Sequence, residues 1–181
     1  MGWKKIGPTL GFCFALVVAP ITPATATEIE GFFGEYEGET VTDYQGELRK
    51  RDLRVKISAH PEGFTVDWTS VTRKANGKLK RKAHSINFLP TGRENIFRSG
   101  ERKNMFGHAV PMDPLKGDPY VWARLHEDTL TVFALHVLED GGYEMQVYAR
   151  TRIPEGLALQ YSRVRDGEVL RAVDAKLLEV N

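Results

Sequence analysis

The five histidines, His60, His84, His108, His126 and His136, are the first residues to test for chemistry. A metal ion needs ligands brought together, and closely spaced histidines on one face do this locally. None stands at H-x-H, H-x-x-x-H or H-E-x-x-H spacing, so no metal site emerges and no cofactor is expected. A nucleophile elbow, a Walker loop and a dinucleotide fingerprint are likewise missing from the sequence. Glu35, Glu37 and Glu39 share one face of a strand, where crowded carboxylates could serve acid chemistry or weak calcium binding. The simpler reading is an acidic outer face opposed to a basic segment. No nucleophile stands beside a base in any recognisable pattern, so no catalytic residue is assigned.

Binding residues are easier to find. With Glu127-Asp128 as a two-residue turn, Trp122 faces Phe133 and Arg124 faces Thr131. With Asp140-Gly141 as the next turn, Phe133 faces Tyr148 and Thr131 faces Arg150. One face of these strands then carries Val121, Ala123, Leu125, Leu130, Val132, Ala134, Met145, Val147 and Ala149, an apolar core face. The other carries the row Trp122–Phe133–Tyr148 flanked by Arg124 and Arg150. Such a row either reinforces the sheet or forms a docking surface.

A second candidate lies in the first half. Pairing Ala59 with Phe64 aligns Ile57 with Val66 and Val55 with Trp68 as a core face. Carried through an Asn76-Gly77 turn, the register sets Trp68 beside Ser85 and Val66 beside Asn87. Polar residues on an inner face suit a wet barrel end that accepts a ligand, although a bulge that shifts register would remove them. Arg73, Lys74, Lys78, Lys80, Arg81 and Lys82 form a basic patch around the hairpin tip, either a protected edge or an anion-binding surface.

These residues must be positioned by strands. Alternating segments at 31–39, 53–59, 64–70, 83–89, 119–126, 129–138, 143–152 and 157–165 are separated by turn residues. Residues 168–180 are read as a last strand after Asp166-Gly167, although Val169, Val173 and Leu177 are also spaced for a helix. About eight to ten strands in this train predict an all-β fold, an antiparallel meandering β-barrel, with a β-sandwich as the alternative. Glu101 to Pro119, with Pro111, Pro114 and Pro119, is a long loop suited to a lid.

Composition sets the compartment. Lys4 and Lys5, the apolar run 10–19 and Ala24-Thr25-Ala26 form a signal-peptide pattern, so residues 1–26 are expected to be cleaved and 27–181 to form one domain. The mature chain then has 155 residues, 23 basic and 24 acidic, and no cysteine. This places it in the periplasm or outside the cell, and excludes disulfides and thiolate chemistry. No apolar stretch of the mature chain is long enough for a membrane helix. A charge balance near zero argues against general nucleic-acid binding. Charge is nonetheless segregated: residues 27–48 carry seven acids and no base, whereas 49–103 carry fifteen bases and five acids.

The strand Gly34-Glu35-Tyr36-Glu37-Gly38, followed by a train of hairpins, resembles the opening of small secreted barrels of the calycin type, the lipocalin and avidin relatives. Leu157-Ala158-Leu159-Gln160-Tyr161-Ser162-Arg163 with its Asp166-Gly167 turn is similar to envelope proteins of Gram-negative bacteria. The calycin resemblance implies a non-enzymatic barrel that binds a small apolar or amphipathic ligand, here near Trp68, Ser85 and Asn87. The other expectation is an interaction module that docks on an envelope protein or anionic glycolipid. It would use Trp122, Phe133, Tyr148, Arg124 and Arg150, or the basic hairpin.

Overall fold

Alternation with a period of two makes each strand two-faced, and a closed sheet buries one of those faces completely. The computed structural model describes residues 25–44, 47–74, 76–100, 102–103, 109–110 and 112–180, with the side chains of 25–27, 43–44, 47–48, 102–103 and 109–110 excepted. A short helix, α1 (Thr25–Glu30), leads into β1 (Gly34–Tyr44), β2 (Glu47–His60), β3 (Gly63–Arg73), β4 (Leu79–Pro90) and β5 (Ile96–Ser99). The two-residue strands β6 (Arg102–Lys103) and β7 (Ala109–Val110) pair with each other, and a 3-10 turn follows at Pro114–Lys116. Then come β8 (Tyr120–His126), β9 (Thr129–Val137), β10 (Tyr143–Ile153), β11 (Gly156–Arg165) and β12 (Glu168–Glu179).

Ten of these strands close into an antiparallel barrel in the order β1-β12-β11-β10-β9-β8-β5-β4-β3-β2. Residues 168–179 are therefore strand, and β5 is an addition to the segments legible in the sequence. The signal segment, apart from residues 25 and 26, lies outside the described residues, as do 101, 104–108 and 111 of the proposed lid. The described parts of 101–119 leave β5 and rejoin β8 at the end of the barrel that carries the 74–78 and 138–142 loops.

The seam between β1 and β12 depends on Gly38. A Cβ there would lie 2.2 Å from the Lys176 carbonyl oxygen, so only glycine lets the two strands approach. Outside the barrel, Glu35, Glu37 and Glu39 pair with Lys56, Arg54 and Lys50 of β2. The three carboxylates are thus neutralised by the neighbouring strand rather than gathered for chemistry.

Only one half of the interior is a packed core. Tyr36, Val55, Ile57, Phe64, Val66 and Phe88 meet Phe97, Leu125, Leu130, Val132, Leu157 and Leu177 there. Phe64 stacks on Phe88 at 5.2 Å and meets the edge of Phe97 at 5.0 Å. Ile29 of the helix α1 and Phe32 just after it are buried with them and close this end of the barrel; the Tyr36 hydroxyl donates to the Phe32 carbonyl at 2.9 Å.

Two hairpin registers differ from the expected ones by a single residue. Asn76-Gly77 is not a two-residue turn: Lys74 and Lys78 face each other, three residues lie between them, and Gly77 is left-handed at φ 74°. Leu138 and Gly142 bracket a three-residue loop in the same way, with Gly141 at φ 82°. This is the hairpin built on a turn plus one left-handed residue. Each extra residue moves every following side chain to the opposite face. Hence Trp68 faces His84 rather than Ser85, and Val66 faces Ile86 rather than Asn87. Tyr148 faces Val132 and Arg150 faces Leu130, so both point into the barrel, while Met145, Val147 and Ala149 leave the expected core face.

Candidate functional site

The half of the lumen away from α1 holds a cavity of about 680 Å³. It exists because the inward face of several strands changes character along its length. On β2 the series Ile57, Val55, Leu53 continues as Arg51 and Arg49, and on β11 Leu157 and Leu159 continue as Tyr161 and Arg163. Apolar side chains fill one end, and long cations at the other cannot pack there and stay hydrated.

The mouth is cationic. Arg49, Arg51, Arg163 and Arg171 line it together with Lys74, Lys80 and Lys82, against the carboxylate of Glu144. Glu144 is nearly inaccessible to solvent. Burial would raise its pKa, but hydrogen bonds from Arg163 and Gln146 outweigh that and hold it below the usual carboxylate range. The chain of contacts continues inward, since the Tyr148 hydroxyl donates to Gln146 Oε1 at 2.8 Å.

Midway down, rings form a band across the lumen. Trp68 stacks on His84 at 4.9 Å and tilts against Tyr148 at 5.5 Å, and Tyr148 meets Tyr161 at 4.8 Å. Loss of hydration, then the charge of Lys82, holds His84 below its ordinary pKa. Burial pushes the hydroxyls of Tyr148 and Tyr161 up, so both stay protonated donors at neutral pH. Below the band lies Arg150, only 1% exposed, with its guanidinium carbon 5.7 Å from the Trp68 ring centroid and 5.6 Å from that of Tyr148. Its Nε and Nη1 have no hydrogen-bond partner.

The residues expected to bind thus divide between two surfaces. Trp68 is in the lumen. Ser85 and Asn87 are outside it: Ser85 faces Asp67, and Asn87 Oδ1 accepts from the Thr65 hydroxyl at 2.8 Å. In the basic patch, Lys74, Lys80 and Lys82 line the mouth, whereas Lys78 is exposed and outside the lining set. Arg81 is on the outer face, as is Arg73, which pairs with Asp52 at 3.2 Å. Trp122 and Phe133 do face each other, stacked at 4.8 Å on the outer wall with Tyr120 and Arg124 nearby. Tyr148 and Arg150 do not join them; the longer 138–142 loop sends both inside.

Arg49, Arg51, Glu144, Gln146, Tyr161, Arg163 and Arg171 were not singled out from the sequence. The signal for the arginines was present as strand faces that are apolar at one end and cationic at the other, on β2, β11 and β12; no such gradient marks Glu144 and Gln146. Among the described residues, no three metal-ligating side chains are grouped to hold an ion. No helix among the described residues is long and apolar enough to cross a membrane. Comparison with protein-family models, with curated proteins and with solved structures returns no match, so the chain's own residues carry the functional argument.

Proposed function

We propose that this protein acts in the periplasm or outside the cell and takes up a small amphipathic molecule in the open half of its barrel. The observation that carries this reading is the cavity itself, in which apolar side chains such as Leu53, Val55 and Leu159, an aromatic band, the buried Arg150 at the floor and a cationic mouth share one continuous space. Its volume of about 680 Å³ lies in the range of small-molecule sites, which bury most of their ligand. A wholly apolar ligand would displace water from the mouth cations without replacing its hydrogen bonds, so a ligand with both characters fits better. Resemblance to lipocalin- and avidin-type barrels supports the same use of the lumen, and the signal-peptide pattern supports the compartment. The paired chain Tyr148–Gln146–Glu144–Arg163 favours a carrier over a catalyst, because it offers no base held against a nucleophile.

Native mass spectrometry of the protein purified from a periplasmic extract tests this. The expected result is a reproducible extra mass at one-to-one stoichiometry, lost on Trp68→Ala while the protein stays folded. A clean apo mass, or an extra mass that survives Trp68→Ala, counts against the luminal site.

The outer wall favours a second reading. Tyr120, 53% exposed, extends the Trp122–Phe133 stack, and an exposed aromatic cluster of this kind suits an envelope protein partner. Salt-insensitive binding lost on Trp122→Ala would support it. Binding to anionic-lipid vesicles that disappears with added salt would point to the basic hairpin instead.

A further inference from the structure

Arg150 combines properties that seldom occur together. It is 1% exposed, its Nε and Nη1 lack hydrogen-bond partners, and no carboxylate pairs with it among the described residues. Buried charges in folded proteins are ordinarily paired and hydrogen-bonded. The rings of Trp68 and Tyr148 favour a cation near their faces, yet neither satisfies these in-plane N–H donors. Arg163, by contrast, has its carboxylate in Glu144. Arg150 is therefore a deeply buried luminal cation with no carboxylate partner among the described residues, and it lines the cavity at its floor.

We infer that Arg150 anchors an oxyanion carried on an apolar body, with the body lying against the ring band of His84, Trp68 and Tyr148. A planar guanidinium fork matches the two oxygens of a carboxylate, sulfonate or phosphate and completes the donors that the fold leaves open. The cationic mouth draws such an anion toward the lumen, and Arg150 at the floor holds it. This inference rests on the luminal-binding reading and adds the chemistry of the ligand's head.

Two fluorescent probes separate the two ideas. 1-Anilinonaphthalene-8-sulfonate and N-phenyl-1-naphthylamine share their rings and differ in the sulfonate. The expected result is one-to-one binding of the sulfonate at least about tenfold tighter than the neutral amine. That preference should be abolished in Arg150→Met and retained in Lys78→Ser. Displacement by octanoate would assign a carboxylate head and displacement by octyl phosphate a phosphate head, whereas displacement by inorganic phosphate alone would mean a free anion. Equal one-to-one binding of both probes, or a preference that survives Arg150→Met, would overturn the anchor and leave luminal binding standing. Failure of both probes to bind one-to-one would remove both readings. If Arg150→Met does not fold, Arg150→Gln takes its place; failure of both variants to fold would mark Arg150 as structural and overturn the inference.

Discussion

Arg150 stands opposite Leu130 across the β9–β10 ladder, with its guanidinium carbon 5.7 Å from the centroid of the Trp68 ring. Burial lowers its pKa to about 10, below the ordinary arginine value, so it remains charged at neutral pH. The unfolded chain binds this proton more tightly than the folded one. The resulting penalty is present in full below the folded value and fades as pH rises from about 10 toward the higher value of the unfolded chain. Arg150→Met removes an unpaired buried charge, whose desolvation costs several kcal/mol, and loses ring contacts of about 2 kcal/mol. A net gain of about 1–3 kcal/mol in unfolding free energy at pH 7 is expected, read from urea denaturation of the ligand-free protein. A loss of stability would mean that Arg150 is held for structure.

Glu144 carries the opposite dependence. Its folded pKa lies below the ordinary 4.5 because Arg163 and Gln146 bind its ionised form more strongly than burial disfavours it. Its contribution is therefore present above pH 4.5 and is lost as pH falls through the lower folded value. Arg163 is 42% exposed in its side chain, and screening reduces the effect to about 1 kcal/mol. Glu144→Gln should destabilise by that amount at pH 7 and be close to neutral at low pH, as urea midpoints at both conditions would show.

Phe64 is the keystone of the closed end, fully buried between Phe88 and Phe97. Phe64→Ala should cost about 3–5 kcal/mol, the range for truncating a packed aromatic. The luminal cavity lies in the other half, so probe binding at low temperature should persist in whatever fraction stays folded.

At the barrel seam, Gly38→Ala brings a Cβ against the backbone oxygen of Lys176, which no rotamer change relieves. Overpacking of this kind costs about 1–3 kcal/mol. Amide exchange should accelerate specifically in β1 and β12, because these strands must separate to admit the methyl group.

Much of the architecture was legible. Pro61-Glu62, Glu127-Asp128, Pro154-Glu155 and Asp166-Gly167 are two-residue turns, so the pairings Val55–Trp68 and Trp122–Phe133 are those that the alternation implies. The site was legible only in part. Trp68 could be found because its hairpin partner β2 is joined to it by a short turn. Ser85, Asn87, Tyr148 and Arg150 were assigned to the wrong faces because a glycine at the third position of a three-residue loop looks, in sequence, like the second position of a two-residue turn.

The amino-acid order by itself determined that strands would form, roughly where they reverse, and that one face of several of them (β2, β4, β11 and β12) would be apolar at one end and cationic at the other. Those properties are local, since they follow from side-chain alternation and turn chemistry. Which residues share the lumen was decided only in the closed barrel. A strand's side chains alternate between two faces, so one residue of loop length reverses every assignment beyond it, and the register that survives is the one that lets all ten strands bury their apolar halves together. The same closure carries Arg150 inside with those halves and leaves its Nε and Nη1 there without a hydrogen-bond partner among the described residues.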